Sequence, residues 1–235
     1  MSDVTNKAVL FLVEGDTDEL SLGEIIKKYL APKKEFFQVI GTDITSAYDI
    51  KPDNIIDEIN SQIHDKLDEI KLFESDVLAV IHLVDMDGAY VTKDFIKEMK
   101  PCSKWIYQDF AIIGDSIEKV VSRNKHKIEN LNRLLVTKLV GKFYTIPYKV
   151  FYFSCNLEHV LHNNPNVDDR DKRDKAEEFA DKYCDDVEGF VKFISQSDFS
   201  VAGSWQETWD FIKERNNSLK RYTNFGLFFK EGVMG

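Results

Sequence analysis

Two short acidic clusters, about seventy residues apart, hold the side chains best suited to chemistry in this chain. Val13-Glu14-Gly15-Asp16-Thr17-Asp18 closes the apolar run at residues 8–12, and Val84-Asp85-Met86-Asp87-Gly88 closes a second run at residues 77–83. Carboxylates beside buried strands are costly unless their charge is compensated, and a divalent cation compensates it well. Residues two apart in extended chain point the same way, so Asp85 and Asp87 are expected to meet one ion. Gly15 lets the chain turn and a phosphate approach closely. Asp18 lies one helical turn past Glu14 and can face the same cleft. The pattern predicts a Mg²⁺ or Mn²⁺ site at the carboxyl edge of a parallel sheet, where phosphate-bearing ligands bind. The plainer alternative is that Glu14 and Asp18 only complement a positive helix start, with Asp85 and Asp87 in an unremarkable loop.

The elements that must position these residues read as β-α-β-α-β. Residues 8–13 form a buried strand. A helix follows, capped by Asp16 or Thr17 with Glu19 in a capping-box position, its apolar face made of Leu22, Ile25, Ile26 and Tyr29. Pro32 ends it. A short strand at Phe36–Ile40 leads into Gly41-Thr42-Asp43. A helix from about Asp53 to Lys71 buries Ile56, Ile59, Ile63, Leu67 and Ile70, and residues 77–84 form the third strand. Unbroken apolar strands alternating with helices imply an α/β fold, a parallel sheet with helices on both faces. Residues 89–145 read as a largely helical insertion, with a short strand at Phe110–Ile113 and a helix from Ser116 to about Gly141. Lys149–Phe153 is a further strand after Pro147, and Ser154 hands over to a helix containing Glu158. Residues 1–165 thus form the main domain, and 166–235 a mainly helical C-terminal extension ending in Tyr222, Phe225, Phe228 and Phe229.

Bulk properties narrow the functional classes. The chain has 235 residues and a net charge of −10, which argues against coating nucleic acid by electrostatics alone. Bound divalent ions would change that balance locally. Cys102, Cys155 and Cys184 are odd in number and lack metal-type spacing, so reduced thiols in a cytoplasmic protein are expected. No apolar run approaches a membrane span, and the N-terminal run stops at Glu14, too short for a secretory signal.

Three further groups bear on function. Glu158 is either a late metal ligand or a surface helix carboxylate with Ser154 as N-cap. His82, within the third strand, reads as a core histidine, and His159 and His162 as packing or solvent-facing residues. The stretch 116–142 carries Lys119, Arg123, Lys125, Lys127, Arg133, Lys138 and Lys142 against only Glu118 and Glu129. That bias can make a phosphate-tracking face, for which Lys119, Arg123, Lys127 and Arg133 are the substrate-binding candidates, while Ile117, Val120, Ile128, Leu131 and Leu135 turn inward. A solvated amphipathic helix is the alternative.

Glu14-Gly15 after the first strand and Asp85-Met86-Asp87 after the third resemble the TOPRIM domain family in order and spacing. Val13-Glu14-Gly15 followed by Asp18 is most similar to OLD-type nucleases and small stand-alone TOPRIM proteins. The resemblance covers residues 7–90 and returns at 149–160. It implies metal-dependent phosphodiester hydrolysis of DNA or RNA, with Glu14, Asp85 and Asp87 as catalytic metal ligands. Asp18 and Glu158 would help a second Mg²⁺ or Mn²⁺ about 4 Å away. It also implies a late lysine near the phosphate, for which Lys220 is the candidate. OLD-type nucleases usually carry an ATPase, whereas this sequence has no GxxxxGK[ST] motif. An ATPase partner in trans and an antiphage role are therefore expected from the resemblance. The competing readings are a non-catalytic TOPRIM scaffold or nucleic-acid-binding module, and a haloacid-dehalogenase-type phosphatase. The latter's DxDG motif ordinarily follows the first strand rather than the third.

Overall fold

The structure is a computed structural model that describes residues 7–33, 35–41 and 44–232. In chain order the first half comprises β1 (Lys7–Val13), α1 (Asp16–Leu30), β2 (Glu35–Gly41), α2 (Ile55–Ile70) and β3 (Val77–Asp85). Next come β4 (Ile96–Glu98), β5 (Ile106–Gln108), β6 (Ala111–Gly114), α3 (Ile117–Val136), β7 (Leu139–Val140) and β8 (Ile146–Ser154). The chain closes with α4 (Leu157–His162), α5 (Asp169–Tyr183), α6 (Val187–Gln196), α7 (Trp205–Lys213), β9 (Tyr222–Thr223) and α8 (Gly226–Glu231). Thr42 and Asp43, expected after the second strand, lie outside the described residues.

Strands β2, β1, β3 and β8 run parallel in that spatial order, and β7 and β9 pair antiparallel with β8. Alternation along β1 assigns its two faces. Val9, Phe11 and Val13 join a core with Leu22 and Ile25 of α1, Phe179 of α5, Phe190 of α6 and Phe228 of α8. Ala8, Leu10 and Leu12 join Ile59 and Ile63 of α2, Leu131 of α3 and Trp209 of α7. A strand buried on both sides reads as a nearly continuous apolar run, as β1 does after Lys7 and β3 does before Asp85 apart from the buried His82.

The regions outside the β-α-β-α-β unit depart from expectation. The insertion is not mainly helical before α3: β4, β6 and β5 form a separate three-stranded sheet. Its strands are only three or four residues long, too short for period-two alternation to stand out. Helix α3 stops at Val136, so that β7 can pair with the start of β8. Strand β8 begins before Pro147. The β3–β8 ladder starts at Tyr148, so the missing proline N–H interrupts nothing in it. The segment 166–235 is mainly helical but is no appendage. Phe179, Phe190, Phe225 and Phe228 complete the core on one face of the sheet, and β9 pairs with β8.

Candidate metal centre

Adjacent parallel strands β1 and β3, with Leu12 opposite His82, end their acidic motifs side by side at the carboxyl edge. Strand β8 lies next to β3 and leads through Asn156, the N-cap, into α4 with Glu158. The cap at the start of α1 is not Asp16 or Thr17. Its N-cap is Gly15, and Asp18 Oδ2 accepts the Glu14 and Gly15 N–H groups at 3.1 and 3.3 Å. Gly15 has φ −152° and open space at its Cβ position, so its backbone requires no glycine.

The pair Asp85 and Asp87 does not behave as two residues of one extended strand. Strand β3 stops at Asp85. Asp87 (φ 48°) and Gly88 (φ 67°) are both left-handed, and the Ala89 N–H donates to Met86 O at 2.8 Å, forming a type I′ turn. Asp85 Oδ1 accepts the Leu157 N–H at the start of α4 at 2.9 Å. Asp87 Oδ2 instead faces α3. At Gly88 an added Cβ would stand 2.5 Å from Leu219 and 2.9 Å from Ile112, both buried. Gly88→Ala is therefore expected to destabilise the fold by about 1–3 kcal/mol, read as a lower urea midpoint. An unchanged midpoint would count against this turn.

Helix α3 enters the site as its inner wall, which corrects the expected exposed face. Lys127 is fully buried, and its ammonium lies 2.7 Å from Asp87 Oδ2 and 3.6 Å from Glu14 Oε2. The buried Arg123 guanidinium sits 3.3 Å from the same Asp87 oxygen and donates to Asp87 O at 2.9 Å. Burial pushes the Asp87 carboxyl up, but these two cations prevail and hold it below the usual range. Asn124 donates to Gly88 O at 3.1 Å, and Asn130 to Thr45 O at 3.1 Å. Thr45 in turn donates to Glu14 Oε1 at 2.9 Å. One helix face therefore fixes the Asp87–Gly88 turn and the loop that orients Glu14. Lys119 and Arg133 lie on the exposed side, with Lys119 paired to Asp115.

The other half of the centre is less compensated. Asp18 and Glu158 are buried, and Lys172 of α5 lies 2.9 Å from Glu158 Oε1. Burial, then the charge of Glu158, raises the Asp18 carboxyl to about 7. Burial and the charges of Glu14, Asp18, Asp87 and Glu158 push Asp85 well above the carboxylate range. Glu14, Asp18, Asp87 and Glu158 thus all lie close enough to Asp85 to oppose its ionisation.

A cleft of about 680 Å³ opens onto Asp85, Asp87 and Lys172, with Lys104, Trp105 and Tyr107 of the insertion in its far wall. Lys220 lies over the Phe110 ring, 5.9 Å from its centroid, so the lysine seen at a carboxylate of the centre from the C-terminal segment is Lys172. His82 is a core residue as read, bonded to the Tyr148 hydroxyl at 2.6 Å and lowered to about 3 by burial. His159 Nδ1 accepts the Cys155 N–H at 3.0 Å, and burial lowers its pKa to about 4. The three cysteines are free thiols.

Thr45, Asn124, Asn130 and Lys172 were missed by sequence reasoning. Asn124, Lys127 and Asn130 fall in phase with the buried Val120, Leu131 and Leu134, a readable signal. Lys172 sits in a mixed-charge run with no such signal. Among the described residues, no three His, Cys, Asp or Glu side chains stand ready to hold a metal ion, and no helix is long and apolar enough to cross a membrane. Compared with known proteins, the chain matches no family model, no curated protein and no solved structure.

Proposed function

We propose that this protein is a divalent-metal-dependent phosphodiesterase, a nuclease of TOPRIM type acting on DNA or RNA. The observation that carries the reading is the gathering of Glu14, Asp18, Asp87 and Glu158 around Asp85, beside an open cleft at the carboxyl edge of a parallel sheet. So many carboxylates are unfavourable together unless a cation joins them. The cleft points the same way, since five aspartates against two lysines line it and repel a phosphate until positive charge is added. A Mg²⁺ or Mn²⁺ held there supplies Lewis acidity and positive charge at the phosphate.

The chain's own residues supply the frame. Lys127 and Arg123 hold Asp87, Thr45 and Lys127 hold Glu14, and the α4 backbone holds Asp85. Lys172, half-exposed at the cleft, is placed to meet non-bridging phosphate oxygens. Lys119 and Arg133 remain candidates for contact with more distant phosphates, and Lys220 no longer has a specific reason to act. From the family resemblance we carry two further proposals, an ATPase partner acting in trans and a role in antiphage defence.

The test is cleavage of plasmid DNA, single-stranded DNA and RNA with Mg²⁺ or Mn²⁺, with and without Asp85→Asn. Metal-dependent cleavage, lost by about 10³-fold or more in the variant, is the expected result. Cleavage unchanged in Asp85→Asn would overturn the assignment. Hydrolysis of small phosphomonoesters alone would favour the phosphatase. The cations already seated on Glu14 and Asp87 favour a second reading, a non-catalytic nucleic-acid-binding module. Binding without turnover in every metal tested would support it.

A further inference from the structure

A group of exposed aromatic side chains lies at the amino edge of the parallel sheet, away from the cleft. Phe73 stands just before β3, and Phe143 and Tyr144 just before β8. They are 76%, 79% and 56% exposed. With Leu67 and Leu72 they line a groove of about 460 Å³. The hairpin tip that carries Phe143 and Tyr144 is anchored. The buried Glu74 carboxylate accepts the Lys142, Phe143 and Tyr144 N–H groups at 2.8, 2.7 and 2.5 Å. Gly141, left-handed at φ 104°, donates its N–H to Asn60 Oδ1 at 2.8 Å. A fixed backbone thus holds two aromatic rings in water, and the loop ordering that association would otherwise cost is already in place.

We propose that this groove is the two-fold interface of a homodimer, covered by a second copy of the chain. Area, shape and charge select that occupant. An aromatic side chain buries about 150–250 Å², so at these exposures the three rings offer roughly 400 Å² of apolar surface per copy. A standard interface takes about 800 Å² from each partner, and in homodimers about 65% of it is apolar, so the rings alone supply most of the apolar part. The patch carries both a protruding ring, Phe143, and the groove beside it, as a surface that pairs with itself must. Asp68 lines the groove from α2 with an exposed side chain, 3.9 Å from His64, while Lys142 lies over the Phe143 ring on the hairpin. A two-fold axis through the groove sets Lys142 of one protomer against Asp68 of its partner, and the reverse. The clefts, at the carboxyl edge, then face outward from the dimer. The interface stands whether or not the chain cleaves nucleic acid.

The experiment is sedimentation velocity of the full chain from about 1 to 100 μM at physiological salt, a range that includes the weak end of interfaces of this size. A dimer is expected within it. Phe143→Ser combined with Tyr144→Ser should weaken dimerisation by about 30-fold or more, as loss of central aromatic anchors does. Asp68→Lys and Lys142→Asp should each weaken it about ten-fold, because the two-fold repeats every change, and the two together should restore it. Circular dichroism of each variant checks that it is folded, and the charge variants leave the apolar surface intact. A monomer at every concentration would overturn the proposal and leave the groove to a different protein. A dimer unmoved by loss of both aromatics, or a charge-swapped double variant no tighter than the single ones, would overturn it as well.

Discussion

Lys127→Met is expected to lower the unfolding free energy by about 3–5 kcal/mol at neutral pH, measured by urea denaturation with tryptophan fluorescence. The cost arises because the substitution removes a fully buried ammonium that Asp87 and Glu14 share, leaving both carboxylates in a poorly solvated place. Methionine fills the volume, so packing loss is small by comparison. The double variant Lys127→Met with Asp87→Asn should recover part of the loss, since Asp87, left with Arg123 as its remaining cation, is neutralised together with its lost partner. Added Mg²⁺ or Mn²⁺ should stabilise Lys127→Met more than the unsubstituted protein, because Glu14 and Asp87 then become available to a cation. A loss below about 1 kcal/mol would mean that Lys127 is solvated in the folded state, as an exposed ion pair is.

The same lysine shows where the sequence was legible and where it was not. Strands β1 and β3 were plain because burial on both faces favours near-continuous apolar runs, and the carboxylates closing them marked the carboxyl edge of the sheet. That Glu14, Asp18, Asp85 and Asp87 lie at one edge followed from the two strand ends, whereas Glu158 stayed open between a ligand and a surface carboxylate. Their orientations did not follow. Asp85 and Asp87 would point together only if the strand continued to Asp87, but left-handed backbone at Asp87 and Gly88 turns the second carboxyl toward α3. Asp-Gly is itself a sign of such a turn, and it outweighed strand alternation here. The basic stretch was read by composition, which pooled two faces of one helix. Periodicity separates them: Arg123 and Lys127 share a stripe with Val120, Leu131 and Leu134, while Lys119 and Arg133 do not. Lys172 became visible only in three dimensions, because the packing of α5 against α1 and α4 that brings it to Glu158 leaves no local pattern.

Asp85→Asn is expected to make the metal-free protein more stable while abolishing metal-dependent cleavage. Burial and the charges of Glu14, Asp18, Asp87 and Glu158 oppose ionisation of Asp85, so its carboxylate is a liability in the folded state without an ion. The amide oxygen can still accept the Leu157 N–H, and the charge is gone. The gain should show as a higher urea midpoint at pH 7 in EDTA. The pH dependence fixes the sign independently. Asp18 and Asp85 both have folded-state pKa values above their unfolded ones, so the folded chain binds more protons and stability falls as pH rises. For Asp18 that decline runs from about pH 4 to about 7. Asp87 acts in the opposite sense: its depressed carboxyl contributes stability that is lost only as pH falls below the ordinary aspartate range. The metal-free protein should therefore lose stability between pH 5 and 7, and Asp85→Asn should flatten that slope. Saturating Mg²⁺ should reverse it, because an ion displaces the protons that the empty carboxylates hold. An Asp85→Asn variant less stable than the unsubstituted protein in EDTA at pH 7 would show that Asp85 is held by something stronger than one backbone N–H. The arrangement then would be a structural ion network, and the strained carboxylates would lose their standing as a site kept for a cation.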